Sequence, residues 1–202
     1  MNYLAHLSLS LDDPHIMLGN FIADDITVNE SKTLPIEVMR GIYLHRNIDS
    51  YTDSHPSFLQ SVDLFRNNHG KYATVIIDIL HDHFLCHNWE RFINRSFDEF
   101  EQDVYSQFEP MLPSMTEGGH KRHVKSLLKH RYLRVYQSKK GMLGVMKRMD
   151  DRTRFESDFQ GAVYEMYDHF DTLNTNFIDL YEGLQTNLPD MWQSVQKDHP
   201  SK

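Results

Sequence analysis

The chain has 202 residues, 40% hydrophobic and 25% charged, with a net charge of −8; this is the profile of one ordinary globular domain able to bury a real core. No apolar run approaches the roughly eighteen residues of a membrane span, and MNYLAHLSLS lacks the basic and long apolar regions of a signal peptide. A single cysteine, Cys86, excludes an internal disulfide framework, so a reducing cytoplasm is the expected setting.

Along the chain, Asn2 to Ser10 is short and apolar and reads as a strand or the first turn of a helix. Asp13-Pro14 opens a helix through Gly19 to Asp24, because Asp caps and Pro is preset for the first helical position. Thr33-Leu34-Pro35 starts another that carries Val38, Ile42 and His45, and His55-Pro56 ends it. Ser57 to Asn67 and Tyr72 to Trp89 follow as helices with apolar residues at helical spacing, and Ser96 to Leu112 is amphipathic. After a loop over Pro113 to Gly119 come a basic helix from His120 to Tyr136 and a second from Met142 to Met149. Phe155 to Leu184 is a long aromatic-rich helical stretch, and Pro189 to Lys202 reads as a frayed tail. Strand-like alternation is nearly absent. The expectation is an all-α, single-domain helical bundle over residues 1–190, with 191–202 as the tail.

Charge is unevenly spread. Lys121 to Arg154 holds twelve Lys or Arg against two Asp, a charge of +10 in an otherwise acidic chain. Such segregation marks either a solvated helix face or a surface that docks an anionic partner.

Thirteen His is high for this length, and six lie between His45 and His87. His45, Asp49 and Asp53 recur every four residues and so share a helix face, as do Asp78 and Asp82. They are embedded in Ile, Leu, Tyr and Phe rather than interleaved with Lys and Glu. Helices that present carboxylates and imidazoles to one another make a divalent-metal site. Mixed oxygen and nitrogen donors suit Mn²⁺ or Fe²⁺. No GxxxxGK[ST] or GxSxG motif is present, which leaves a metal-activated water attacking phosphorus as the most economical chemistry. The bland alternatives are core histidines for His81 and His87, a helix-ending Asp53 and a loop pair at Asp24-Asp25.

The stretches MNYLAHLSLS, GNFIADDI (Gly19 to Ile26), GIYLHRNIDSYTD (Gly41 to Asp53) and DILHDHFLCHNW (Asp78 to Trp89) together resemble the acyl carrier protein phosphodiesterase family. YLRVY (Tyr132 to Tyr136) and GMLGVMKRM (Gly141 to Met149) match it more weakly. The resemblance implies an HD-domain-like helical phosphohydrolase, metal-dependent and often with Mn²⁺ (Fe²⁺ or Mg²⁺ being alternatives). Its substrate would be holo-acyl carrier protein, cut at the phosphodiester between 4′-phosphopantetheine and a serine. The family pattern falls on His6, Asp24, His45, Arg46, Asp49, Asp53, Asp78, Asp82 and His83. On this basis Asp24, His45, Asp78, Asp82 and His83 are expected to hold the metal and Arg46 the phosphate, with Asp49 or His6 orienting the water. The superfamily's His-Asp pair is reversed here as Asp82-His83, though His81-Asp82 also reads as a pair. Arg131, Arg134, Lys139 and Lys140 are expected to dock the acidic carrier protein, with Met142, Leu143 and Met146 cradling an apolar helix face. Neither nucleic acid nor membrane is expected as a partner, and the oligomeric state is open. The competing readings are an HD-type enzyme acting on a nucleotide and a non-enzymatic module that binds an acidic partner.

Overall fold

The computed structural model describes residues 1–200, all helices, turns and loops, with no strand among the described residues. The elements in order are α1 (Tyr3–Ser8), α2 (Pro14–Ile22), α3 (Val28–Ser31), α4 (Ile36–Ser54), α5 (Pro56–His69), α6 (Ala73–His87), α7 (Trp89–Phe92) and α8 (Phe97–Met111). They continue as α9 (Gly119–His130), α10 (Lys139–Asp150), α11 (Phe159–Asp168) and α12 (Phe170–Asp198).

Local chemistry sets most boundaries. Asp13 caps α2 by accepting from the His15 and Ile16 amides, with Pro14 at the first turn. Ser96 and Glu99 form a reciprocal capping box at α8, as Thr27 and Glu30 do at α3. His55 ends α4 and its ring accepts from the Ser57 amide, so one residue closes one helix and opens the next.

Of the two readings of Asn2 to Ser10, the helical one holds, over Tyr3–Ser8. Two boundaries differ from the pattern-based expectation. The basic helix stops at His130, because Arg131 takes left-handed backbone angles (φ 45°, ψ 52°) and a 3₁₀ turn over Tyr132–Gln137 follows. The last helix runs through Pro189 to Asp198. Pro189 and Gln185 both face solvent, so the carbonyl that loses its amide partner can meet water. Met191, Trp192 and Val195 pack on the core, Arg40 donates to the His199 carbonyl at 2.9 Å, and the His199 ring stacks on Tyr43.

The core is continuous. Helix α6 runs through it with Ile76, Leu80 and Leu85 fully buried, and Phe84 stacks among Phe170 and Phe177. Helices α4 and α5 close on α12. The closest helix crossing joins α2 to α4. There Gly19 and Gly41 meet backbone to backbone: a Cβ on Gly19 would stand 2.9 Å from Gly41 Cα, and one on Gly41 would stand 2.9 Å from Gly19 Cα. Only glycine at both positions permits this approach, and it brings Asn20 against His45.

Candidate active site

Helix α4 supplies His45, Arg46, Asp49 and Asp53, and these line an open cleft of about 510 Å³ with Ala23, Asp24, Ser50 and Ser54. His6, from α1, lies beneath it and stacks on His45 with ring centroids 3.9 Å apart. Ligand atoms of His6, His45 and Asp49 all fall within 4.8 Å of one another. The Gly19–Gly41 crossing fixes the His45 tautomer, since its Nδ1 donates to the Asn20 carbonyl at 2.9 Å. That leaves Nε2 facing the cleft. It is 3.0 Å from Asp49 Oδ2 and 3.4 Å from Asp24 Oδ1, but neither oxygen is placed to accept a hydrogen bond from it. A buried imidazole nitrogen that converges with two carboxylate oxygens on a point has the form of a metal-ligand set, and the carbonyl on its other nitrogen is the usual outer support. His6 Nδ1 is likewise without a hydrogen-bond partner.

The electrostatics follow from these contacts. Burial works against charge on His45, but Asp24 and Asp49 outweigh it and raise its pKa to about 9. Burial would lift Asp49, yet the His45 and His6 imidazoles hold its carboxyl well below the ordinary range. His45 does the same for Asp24, whose side chain is 76% exposed at the cleft mouth. His6 is driven the other way: burial and the His45 charge beside it lower its pKa to about 4. The Met1 ammonium is buried between Asp78 (2.9 Å) and Asp49 (3.3 Å) and neutralises charge behind the cleft.

The acyl carrier protein phosphodiesterase family model matches residues 1–184. A protein of that name from Photorhabdus laumondii is 31% identical over 90% of this chain and 91% of its own length. The chain belongs to the acyl carrier protein phosphodiesterase family. Proteins of the same name from Yersinia pestis and Escherichia coli are 29% and 28% identical, each over 90% of this chain and 94% of its own length. No solved structure matches.

Of the residues expected for the site, this acyl carrier protein phosphodiesterase family member brings His6, Asp24, His45, Arg46 and Asp49 together. Arg46 is exposed, stands over the Tyr43 ring at 5.4 Å, and has no carboxylate partner among the described residues. The other three expected metal residues have different partners. Asp78 holds the Met1 ammonium. Asp82 is fully buried and accepts from the Leu4 and Ala5 amides at 3.0 Å and the Asn2 side chain at 2.9 Å. It therefore caps α1 from a neighbouring helix, where Asn2 provides no side-chain cap of its own. His83 Nδ1 donates to the Tyr136 carbonyl at 2.7 Å, and His81 sits between Phe58 and Phe177.

The basic segment is also divided. Arg134 pairs with the buried Glu101, Nε to Oε2 at 2.8 Å, and with Asp98. Lys139 lies over Tyr164 and Tyr167, Arg131 lies over Tyr105, and Lys140 is exposed. Met142 and Met146 cannot cradle a partner, because both are fully buried in the protein's own core, and Leu143 packs against that core. Pattern reading had no means of finding the Asn20 carbonyl, since a backbone group carries no residue-type signal.

Proposed function

We propose that the protein hydrolyses the phosphodiester that joins 4′-phosphopantetheine to a serine of holo-acyl carrier protein. Water adds across the P–O(serine) bond, giving 4′-phosphopantetheine and the free serine hydroxyl of apo-acyl carrier protein. Family membership supports the substrate. The observation that carries the chemistry is the convergence of His6, His45 and Asp49 at the floor of a polar cleft beside Arg46. No Tyr, Phe or Trp lines that cleft, so it offers little to stack a nucleotide base, which argues against a nucleotide substrate.

His6, His45 and Asp49 would hold a divalent cation, and two imidazoles with a carboxylate favour Mn²⁺ or Fe²⁺ over Mg²⁺. Such an ion supplies Lewis-acid polarisation of the phosphate and a more acidic water. The remaining work falls to the chain. Arg46 binds phosphate oxygens through its forked donors. Asp24, a carboxylate exposed at the cleft mouth, accepts the proton from the attacking water. Ser50 and Ser54 offer hydroxyls along the cleft wall. The all-α architecture is consistent with the HD-like type, and the lone Cys86 suits a reducing cytoplasm.

The deciding experiment is mass spectrometry of holo-acyl carrier protein incubated with the Mn²⁺-supplemented protein. The expected result is loss of the prosthetic group. Unchanged substrate mass with Mn²⁺, Fe²⁺ and Mg²⁺ in turn overturns the assignment.

A further inference from the structure

The 3₁₀ turn over Ala23–Asp25 has two faces. One presents Asp24 to the cleft; on the other, Asp25 bonds His123 of the basic helix α9. The surface beyond His123 is built from aromatics: Tyr3 packs on His123 at 4.7 Å, and Tyr132 lies 6.4 Å from both rings. Arginines frame this shelf. A Cβ on Gly119 would lie 2.9 Å from the Asp25 carbonyl and 3.9 Å from Arg122 Nη2, which puts the Arg122 guanidinium at the turn. Helix α10, which carries Arg148 and ends two residues before Arg152, packs on the 3₁₀ turn that begins at Tyr132, and the two guanidiniums oppose the rise that burial gives the Tyr132 and Tyr3 hydroxyls.

Four of the twelve cations of the segment are compensated by carboxylates among the described residues. Lys121, Lys125, Arg134 and Lys147 each have a carboxylate partner, and Lys139 is engaged by two tyrosines. Arg122, Arg148 and Arg152 are exposed with no carboxylate partner among the described residues. Uncompensated guanidinium groups around an aromatic shelf in a chain of net charge −8 are complementary to an acidic protein surface.

We propose that Arg122, Arg148 and Arg152, beside the Tyr3–Tyr132 shelf, are where the acidic carrier protein docks, delivering its phosphodiester past Asp24 into the cleft. This rests on the function proposed above. It is distinct from Arg131 and Lys140, which are exposed cations on the same segment.

The test compares two double charge reversals of equal net change, Arg122→Glu/Arg152→Glu and Arg131→Glu/Lys140→Glu, in the metal-supplemented full chain. The first is expected to raise KM for holo-acyl carrier protein by about tenfold or more with kcat held within about twofold, and the second to raise KM by less than about threefold. Equal effects, or an unchanged KM in the first variant, overturn the proposal. If the wild type leaves the prosthetic group in place, the functional reading fails separately, and fluorescence anisotropy of dye-labelled apo-acyl carrier protein then reads the surface. Binding that is lost only in Arg122→Glu/Arg152→Glu supports the docking site; absence of binding to the wild type overturns it.

Discussion

Arg46 and His45 are adjacent in sequence and opposite in environment: one side chain is exposed above the cleft, the other is 5% exposed at its floor. Because Arg46 has no carboxylate partner among the described residues, its removal takes little from the fold. Arg46→Lys keeps the charge and loses the two-pronged geometry. It should lower kcat by roughly ten- to a thousandfold, about 1.4 to 4 kcal/mol of transition-state stabilisation, with Tm unchanged. A parallel fall in Tm and a normal rate would make Arg46 structural. His45 carries the pH dependence. With its pKa at about 9, a metal ion must displace its proton, so affinity for Mn²⁺ should rise about tenfold per pH unit up to that value; titrations at several pH values measure it, and a flat profile refutes it. The same shift has a stability consequence in chelator-treated protein. His45 has a folded pKa above its ordinary 6.5, so its contribution is fully present below that value and is lost as pH rises through the folded pKa. The Tm advantage of wild type over His45→Gln should therefore be present at pH 6 and absent above about pH 9.

At the scale of elements, two features hold the cleft floor in place. The first is the cap that Asp82 provides to α1, the helix that carries His6. Asp82→Asn keeps the shape but replaces one acceptor oxygen with a donor that faces backbone amides. The expected loss is about 1 to 3 kcal/mol, read as an early melt, with one metal ion still bound at full occupancy at low temperature. Loss of the metal with stability intact would instead make Asp82 a ligand. The second is the Gly19–Gly41 crossing. Gly41→Ala sets a methyl against the Ile16 carbonyl and Gly19 Cα, and overpacking of this kind costs about 1 to 3 kcal/mol. Because the same crossing holds the Asn20 carbonyl to His45, Gly41→Ala should also weaken Mn²⁺ binding measurably in the folded protein, by about tenfold or more. An affinity equal to that of the wild type would separate the crossing from the site.

At the scale of the whole molecule, an acidic protein with one basic surface should meet an acidic partner faster at low salt. The value of kcat/KM for holo-acyl carrier protein should fall several-fold between about 0.01 and 0.15 M ionic strength, as the Debye length shrinks from about 30 to about 8 Å. A salt-independent rate would mean that long-range attraction plays no part. What the sequence by itself determined is the all-α class, the helix starts at Asp13-Pro14 and Ser96, the uneven charge and the α4 ladder of His45 and Asp49. Each of these is local: it depends on neighbours within a turn or two, or on composition alone. Tertiary structure decided which ladder residues converge. Asp82 and His45 are alike in sequence as acid and imidazole set in apolar helices, but Asp82 meets the open amides of α1 and His45 meets the cleft. It also decided which basic residues remain uncompensated, since Glu101 and Arg134 are 33 residues apart in the chain and only packing puts them together. Helical periodicity specifies a direction from one axis; convergence requires the relative placement of several axes, which here is set by a glycine crossing and a cap supplied across helices.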